Sequence, residues 1–258
     1  MKRDLVRQIL VVVSVLAMIV VNVLANALPI NGLNTGEISD RFNILFVPAG
    51  YVFSIWGLIY IGLIAFVVYQ VLPSQAENPR LRKIGYLVVL SSLANIAWIF
   101  LWHYEVFPPT LIAMGVLLLS LIAIYLLLDI RYFRSASGRA PVLALERWLV
   151  DVPFSLYLGW ITVATVANVS QVLNYAGWGA WGISVQVWAI VMLVVATIIA
   201  GAVSLTRSDV AYVLVLIWAF IGIALKHAGV AAVSITAWIL VGVNAALLLA
   251  GVLMKPSK

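Results

Sequence analysis

The chain has 258 residues, of which 65% are hydrophobic and only 9% charged, a balance that excludes an ordinary soluble domain. Its net charge of +6 does not point to nucleic acid, because the basic residues sit in short breaks between apolar runs rather than in one patch. With no cysteine in the chain, disulfides, thiolate metal sites and cysteine nucleophiles are excluded too.

Crossing about 30 Å of hydrocarbon takes about 20 apolar residues in a helix, and the continuous runs here do not match the alternating strands of a membrane barrel. The predicted fold class is all-α, a polytopic membrane helix bundle of about eight spans: roughly 5–28, 46–72, 84–104, 108–130, 148–172, 181–204, 210–226 and 230–254. The first span has a basic start but is expected to be retained, since Asn26-Ala27-Leu28-Pro29 is not a small-residue cleavage site. After it, Pro29 to Leu45 is rich in turn residues, as in a structured cap rather than a minimal hairpin.

The second span carries Trp56 and Tyr60, four apart and so on one face. In the third, Asn95, Trp98 and Trp102 are spaced three and four. Between the fourth and fifth spans, the segment from Arg131 to Arg139 is basic and expected to be a flexible anchor. The fifth carries Tyr157, Trp160, Ala164 and Asn168 at helical spacing. Trp178 and Trp181 flank the turn into the sixth span as interfacial belt residues. In the eighth, Gly242, Ala246 and Ala250 recur every fourth residue, a ridge that admits close approach of a helix from this chain or another.

Charge placement predicts the orientation. With the N-terminus cytoplasmic, Lys2, Arg3, Arg7, Arg80, Arg82, Lys83, Arg131, Arg134, Arg139, Arg147, Arg207, Lys255 and Lys258 fall inside, and only Arg41 and Lys226 outside. Both termini are then cytoplasmic in an integral membrane protein, expected in a bacterial inner membrane. That orientation places the three polar and aromatic stripes in the outer half of the bilayer, beneath the Pro29–Leu45 loop. Buried amides need partners, so these helices are expected to face one another.

At the stripes the chain resembles the TspO/MBR family of tryptophan-rich sensory or translocator proteins. Pro48, Trp56 and Tyr60 keep that family's second-helix spacing, although Val47 replaces the first of its two prolines. Asn95 and Trp98 match its third helix, with Trp102, His103 and Ser91 as departures. Tyr157, Trp160, Ala164, Thr165 and Asn168 match its fifth, with Leu156 where a proline is usual. The resemblance covers Leu5 to Asn174 and implies a five-helix domain at 1–174, followed by a three-helix membrane extension at 175–258. It also implies a pocket for a hydrophobic ring compound, a tetrapyrrole or sterol, lined by Trp56, Tyr60, Asn95, Trp98, Trp102, Tyr157, Trp160 and Asn168. Some members of the family are linked to porphyrin breakdown at their tryptophans.

The remaining polar residues have simpler readings. Asp129, Glu105 and Arg207 are placed at helix ends, and Asp151 in an ion pair with Arg147 on the same helix surface. Lys226 sits near a membrane boundary where it can snorkel, without the mid-span counter-ion of a retinal Schiff base. His103 and His227 are expected to be solvated or hydrogen-bonded rather than metal ligands. No phosphate loop, mid-membrane carboxylate pair or nucleophile with a base is legible, which disfavours an enzyme. The expected cofactor is none beyond a possible tetrapyrrole ligand. The expected partners are membrane lipid and a hydrophobic small molecule, with a homodimer or larger complex also open. An accessory scaffold and a secondary transporter are the alternative functions; the latter predicts inverted repeats, which are not evident.

Overall fold

The computed structural model describes residues 2–28, 30–131 and 143–253, with side chains from Asp4 onwards. Pro29, the basic run Tyr132 to Arg139, Lys255 and Lys258, and the side chains of Lys2 and Arg3 lie outside the described residues, and so do the readings placed on them.

The described residues are helical, without a strand: α1 (Lys2–Ala27), α2 (Thr35–Asp40), α3 (Ile55–Gln70), α4 (Pro79–His103), α5 (Phe107–Leu128), α6 (Ala144–Glu146), α7 (Val152–Tyr175), α8 (Val185–Arg207), α9 (Val210–Lys226) and α10 (Ala231–Leu253). Among the described residues, seven continuous helical segments are long and apolar enough to cross a membrane: Asp4–Ala27, Gly50–Gln70, Pro79–His103, Phe107–Leu128, Ala144–Tyr175, Val185–Arg207 and Ala231–Leu253. The remaining predicted span, the seventh (210–226), is α9, apolar but 17 residues long, at the lower limit of about 17–25 residues for a crossing helix.

Local chemistry sets the boundaries. Asn78 caps α4 by accepting a hydrogen bond from the Arg80 amide at 2.9 Å, with Pro79 in the first turn, where its missing N–H costs nothing. The helix thus takes in the charged turn at Arg80 to Lys83, which hydropathy alone leaves outside. Pro108 and Pro109 open α5 in the same way. Ser184 and Asp209 cap α8 and α9. Pro153 lies one residue into α7, and the turn before it, Arg147–Asp151, is a π-helix. A proline ring clashes with the carbonyl four residues back, and a widened turn relieves that clash.

Backbone contacts divide the chain into two compact units. The first comprises residues 1–41, 55–129 and 143–158. In it α4 packs against α1 and α5, and α3 against α1 and the π turn. Close approach is visible at Gly62, where a Cβ would lie 3.1 Å from the Pro153 ring. The Gln8 and Gln70 side-chain amides each donate to the other's backbone carbonyl, at 2.6 and 3.2 Å, tying α1 to the end of α3.

The second unit comprises 42–54, 130–142 and 159–258. Here α8, α9 and α10 pack on one another. Ser204 and Ser208 donate across to the Leu247 and Gly251 carbonyls at 2.7 Å each. The segment before α3 is strapped to α9: the Ala49 amide donates to the Gly222 carbonyl at 3.2 Å, and the Trp218 indole to that of Val52 at 3.1 Å. This strapping explains why the helical segment begins at Gly50, with regular α-helix from Ile55, rather than near residue 46 as predicted.

Candidate functional site

α4 presents Asn95, Trp98 and Trp102 on one face, all buried. Asn95 accepts from the Asn22 amide of α1 at 2.6 Å and donates to the Tyr157 hydroxyl of α7 at 3.0 Å. One asparagine therefore joins three helices, the arrangement a buried amide in hydrocarbon requires. Seven residues further on, Trp102 stacks on Trp98 with ring centroids 5.2 Å apart and planes 15° apart. Its edge meets Phe107 at 5.3 Å.

On α3, Trp56 and Tyr60 form a second stack, 5.5 Å and 25°, and Trp56 also meets Tyr157 nearly edge-on at 6.0 Å. Tyr157 is thus the junction: its hydroxyl is held by Asn95 and its ring abuts Trp56. Trp56 and Tyr60 are only half-buried, whereas Asn95 and Tyr157 are fully enclosed. Six of the eight predicted site residues, Trp56, Tyr60, Asn95, Trp98, Trp102 and Tyr157, belong to the first unit. The other two belong to the second. There Trp160 is buried with its ring edge-on to Phe53 at 5.6 Å, and Asn168 is buried.

Sequence reasoning missed Asn22. It lies in a largely apolar helix, and the available signal was Asn26 four residues later, on the same face. It also missed how the predicted cap is fastened. α2 begins with a capping box, the Asn34 side chain accepting from the Glu37 amide and the Glu37 carboxylate from the Asn34 amide. The loop is then pinned to the end of α4 at several points. The Trp102 indole donates to the Thr35 carbonyl at 3.3 Å. His103 Nδ1 donates to the Ile30 carbonyl at 3.1 Å, and its Nε2 lies 3.0 Å from the Thr35 hydroxyl. His103 is therefore a buried structural ring, and His227 lies 3.1 Å through Nε2 from the Val47 carbonyl.

Just beyond α4, the Arg41 guanidinium forks onto Glu105, the second of its contacts at 3.1 Å. That hydrogen bond holds the Glu105 carboxyl below its ordinary range and the Arg41 guanidinium above its own.

At the other end of α4 the structure corrects the reading of Asp151 as half of a helix-surface pair. Asp151 is buried and accepts from Arg80 at 2.7 Å, while the same guanidinium meets Glu146 at 2.8 Å and the Leu128 carbonyl at 2.9 Å. The π turn between Arg147 and Asp151 spoils the regular four-residue register, so the i,i+4 rule does not govern this pair.

These features define the class: a polytopic helical integral membrane protein whose first unit joins three helices through buried amides and aromatic stacks, capped by a fastened loop. The chain belongs to the TSPO-like protein family, whose profile matches residues 8–250 and so includes the last three helices. No curated protein and no solved structure matches it.

Proposed function

We propose that this protein binds a flat hydrophobic ring molecule, of tetrapyrrole or sterol class, against the Trp56–Tyr60 face, and serves its sensing, sequestration or transport. The observation carrying this reading is the half-buried Trp56–Tyr60 stack, backed by the Tyr157 ring that Asn95 holds in place. Partly exposed rings on a rigid support are what stacking recognition needs, since the cost of ordering them is already met. Trp98 and Trp102 form a second, buried stack in the same unit, and Trp160 and Asn168 complete the family pattern. In this reading the fastened Ile30–Arg41 loop is the external cap and both termini are cytoplasmic in a bacterial inner membrane, following the distribution of lysine and arginine.

The test is quenching of tryptophan fluorescence by protoporphyrin in lipid nanodiscs. Trp56→Ala and Tyr60→Leu are expected to weaken binding by about tenfold, equivalent to about 1.4 kcal/mol, with thermal unfolding close to wild type. Affinity unchanged in both variants overturns the reading.

Docking to a partner is the second reading, favoured by one observation. Gly242 and Ala246 on α10 face away from the helices of their own unit, and a Cβ at Gly242 would meet nothing within 4 Å. If that ridge seats another chain, Gly242→Leu removes co-purifying partners and leaves porphyrin binding intact. Retained partners argue against docking there.

A further inference from the structure

Within the second unit, where α7 ends and α8 begins, lies a half-open pocket with a cavity volume of about 160 Å³. Its walls include Phe46, Leu173, Trp178, Trp188, Ala189 and Met192, and none of the eight residues discussed above lines it. The turn beside it is unusual. Ala180 and Trp181, both non-glycine, adopt φ of +50° and +53°, between Gly177 at +68° and Gly182 at +77°. L residues rarely take this left-handed conformation, and here it is held by the Trp188 indole donating to the Ala180 carbonyl at 3.2 Å. The consequence is a cluster of three indoles: Trp178 lies 5.1 Å from Trp181 and 5.3 Å from Trp188. An interfacial belt needs no such turn.

We propose that this cavity is a binding site for a single small aromatic molecule, benzene- to indole-sized. The space matches one small ring: an apolar cavity of about 150 Å³ takes benzene, and because the pocket is half open a drug-sized molecule, which needs about 300–1,000 Å³, would leave much of its surface outside. Trp178 and Trp188 are tilted by 53° to each other, and Met192 is also among the lining residues. Both favour an aromatic ring, through edge-to-face and sulfur–aromatic contact, over a saturated chain. Asn43 and Asn174, exposed among the lining residues, suit one polar substituent on the ring.

The experiment uses the full chain in lipid nanodiscs, titrated with fluorobenzene and followed by fluorine NMR, with empty nanodiscs as the partition control. Saturable binding is expected in wild type, lost by at least about tenfold in Ala189→Phe, whose added ring takes up the space, and in Leu173→Trp, which enlarges another lining side chain. Trp56→Ala should bind fluorobenzene as wild type does, so failure here is separable from failure of the porphyrin site. Wild-type signal indistinguishable from empty nanodiscs overturns the proposal. So does undiminished binding in a cavity-filling variant that keeps the wild-type melting temperature. Displacement of fluorobenzene by n-octane as readily as by indole would mark a lipid-chain crevice and overturn the aromatic assignment.

Discussion

Replacing Asn95 by leucine removes the joint between α1, α4 and α7 with little change in volume, and its two sides lose different things. Asn22 keeps its other amide hydrogen bond, to the Met18 carbonyl at 2.9 Å. The Tyr157 hydroxyl keeps only the Met18 sulfur at 3.5 Å. A stranded buried polar group costs about 1–3 kcal/mol in soluble interiors, whereas interhelical hydrogen bonds in membranes average about 0.6 and reach about 1.7 kcal/mol. Because one partner is only half deprived, the membrane scale governs, and Asn95→Leu is expected to cost about 1–2 kcal/mol. Tyr157→Phe removes the hydroxyl itself and should cost about 0.5–1 kcal/mol. In that background Asn95→Leu no longer strands a phenol, so the double variant should fall short of the sum by about 0.5–1 kcal/mol. Equilibrium unfolding of the four proteins in mixed micelles with increasing SDS, followed by tryptophan fluorescence, measures the cycle. Additivity within about 0.3 kcal/mol would refute a working Asn22–Asn95–Tyr157 network.

Arg80→Met should destabilise by about 3–5 kcal/mol, since Glu146 and Asp151 are left inside without their cation, and Arg80→Met with Glu146→Gln and Asp151→Asn should recover much of that loss in thermal unfolding. Gly251→Ala should cost about 1–3 kcal/mol in the same assay, because its Cβ would lie 2.4 Å from the Ser204 carbonyl oxygen. Gly242→Ala, with open space around it, should be neutral or stabilising by up to about 1 kcal/mol. For Glu105 the folded pKa lies below the unfolded one, so the contact with Arg41 contributes at neutral pH and is lost only as pH falls below about 4. Proteolytic nicking of the 30–41 loop should therefore rise below that pH in wild type, and Glu105→Gln should show the acid-side rate already at pH 7.

The membrane helices were legible because burial in hydrocarbon demands long apolar runs, which give their approximate placement but not their ends. The intrahelical stacks were legible too: a four-residue spacing puts Trp98 over Trp102 and Trp56 over Tyr60, whatever else the chain does. Partners from distant helices were not. That Asn95 needs a partner follows from its residue type, but that the partners are Asn22 and Tyr157 depends on which helices adjoin, and periodicity carries no such information. Asp151 shows the same limit more sharply. Its nearest basic residue in sequence is Arg147, yet a proline two residues on widens the intervening turn, and the carboxylate meets Arg80, 71 residues away. The cavity beside Trp178 was illegible because left-handed φ at Ala180 and Trp181 contradicts their residue types.

α4 is secured at three heights, and the spacing of those fixings bears on how the first unit would hold a ligand. Arg80 is clasped near one end, Asn95 bridges two helices in the middle, and Trp102 and His103 take the loop at the other end. At 1.5 Å per residue, Arg80 and His103 are about 35 Å apart along the axis, so a helix tied at both ends cannot slide without breaking an ionic cluster and a neutral one together. The middle joint shares that restraint, and through Tyr157 it reaches the Trp56–Tyr60 stack. A ligand settling on those rings meets a surface already ordered, so the affinity lost on cutting Asn95 should reflect a loosened support rather than a missing contact. It follows that Asn95→Leu should weaken porphyrin binding less than Trp56→Ala does. An equal or larger loss would mean that the amide itself touches the ligand.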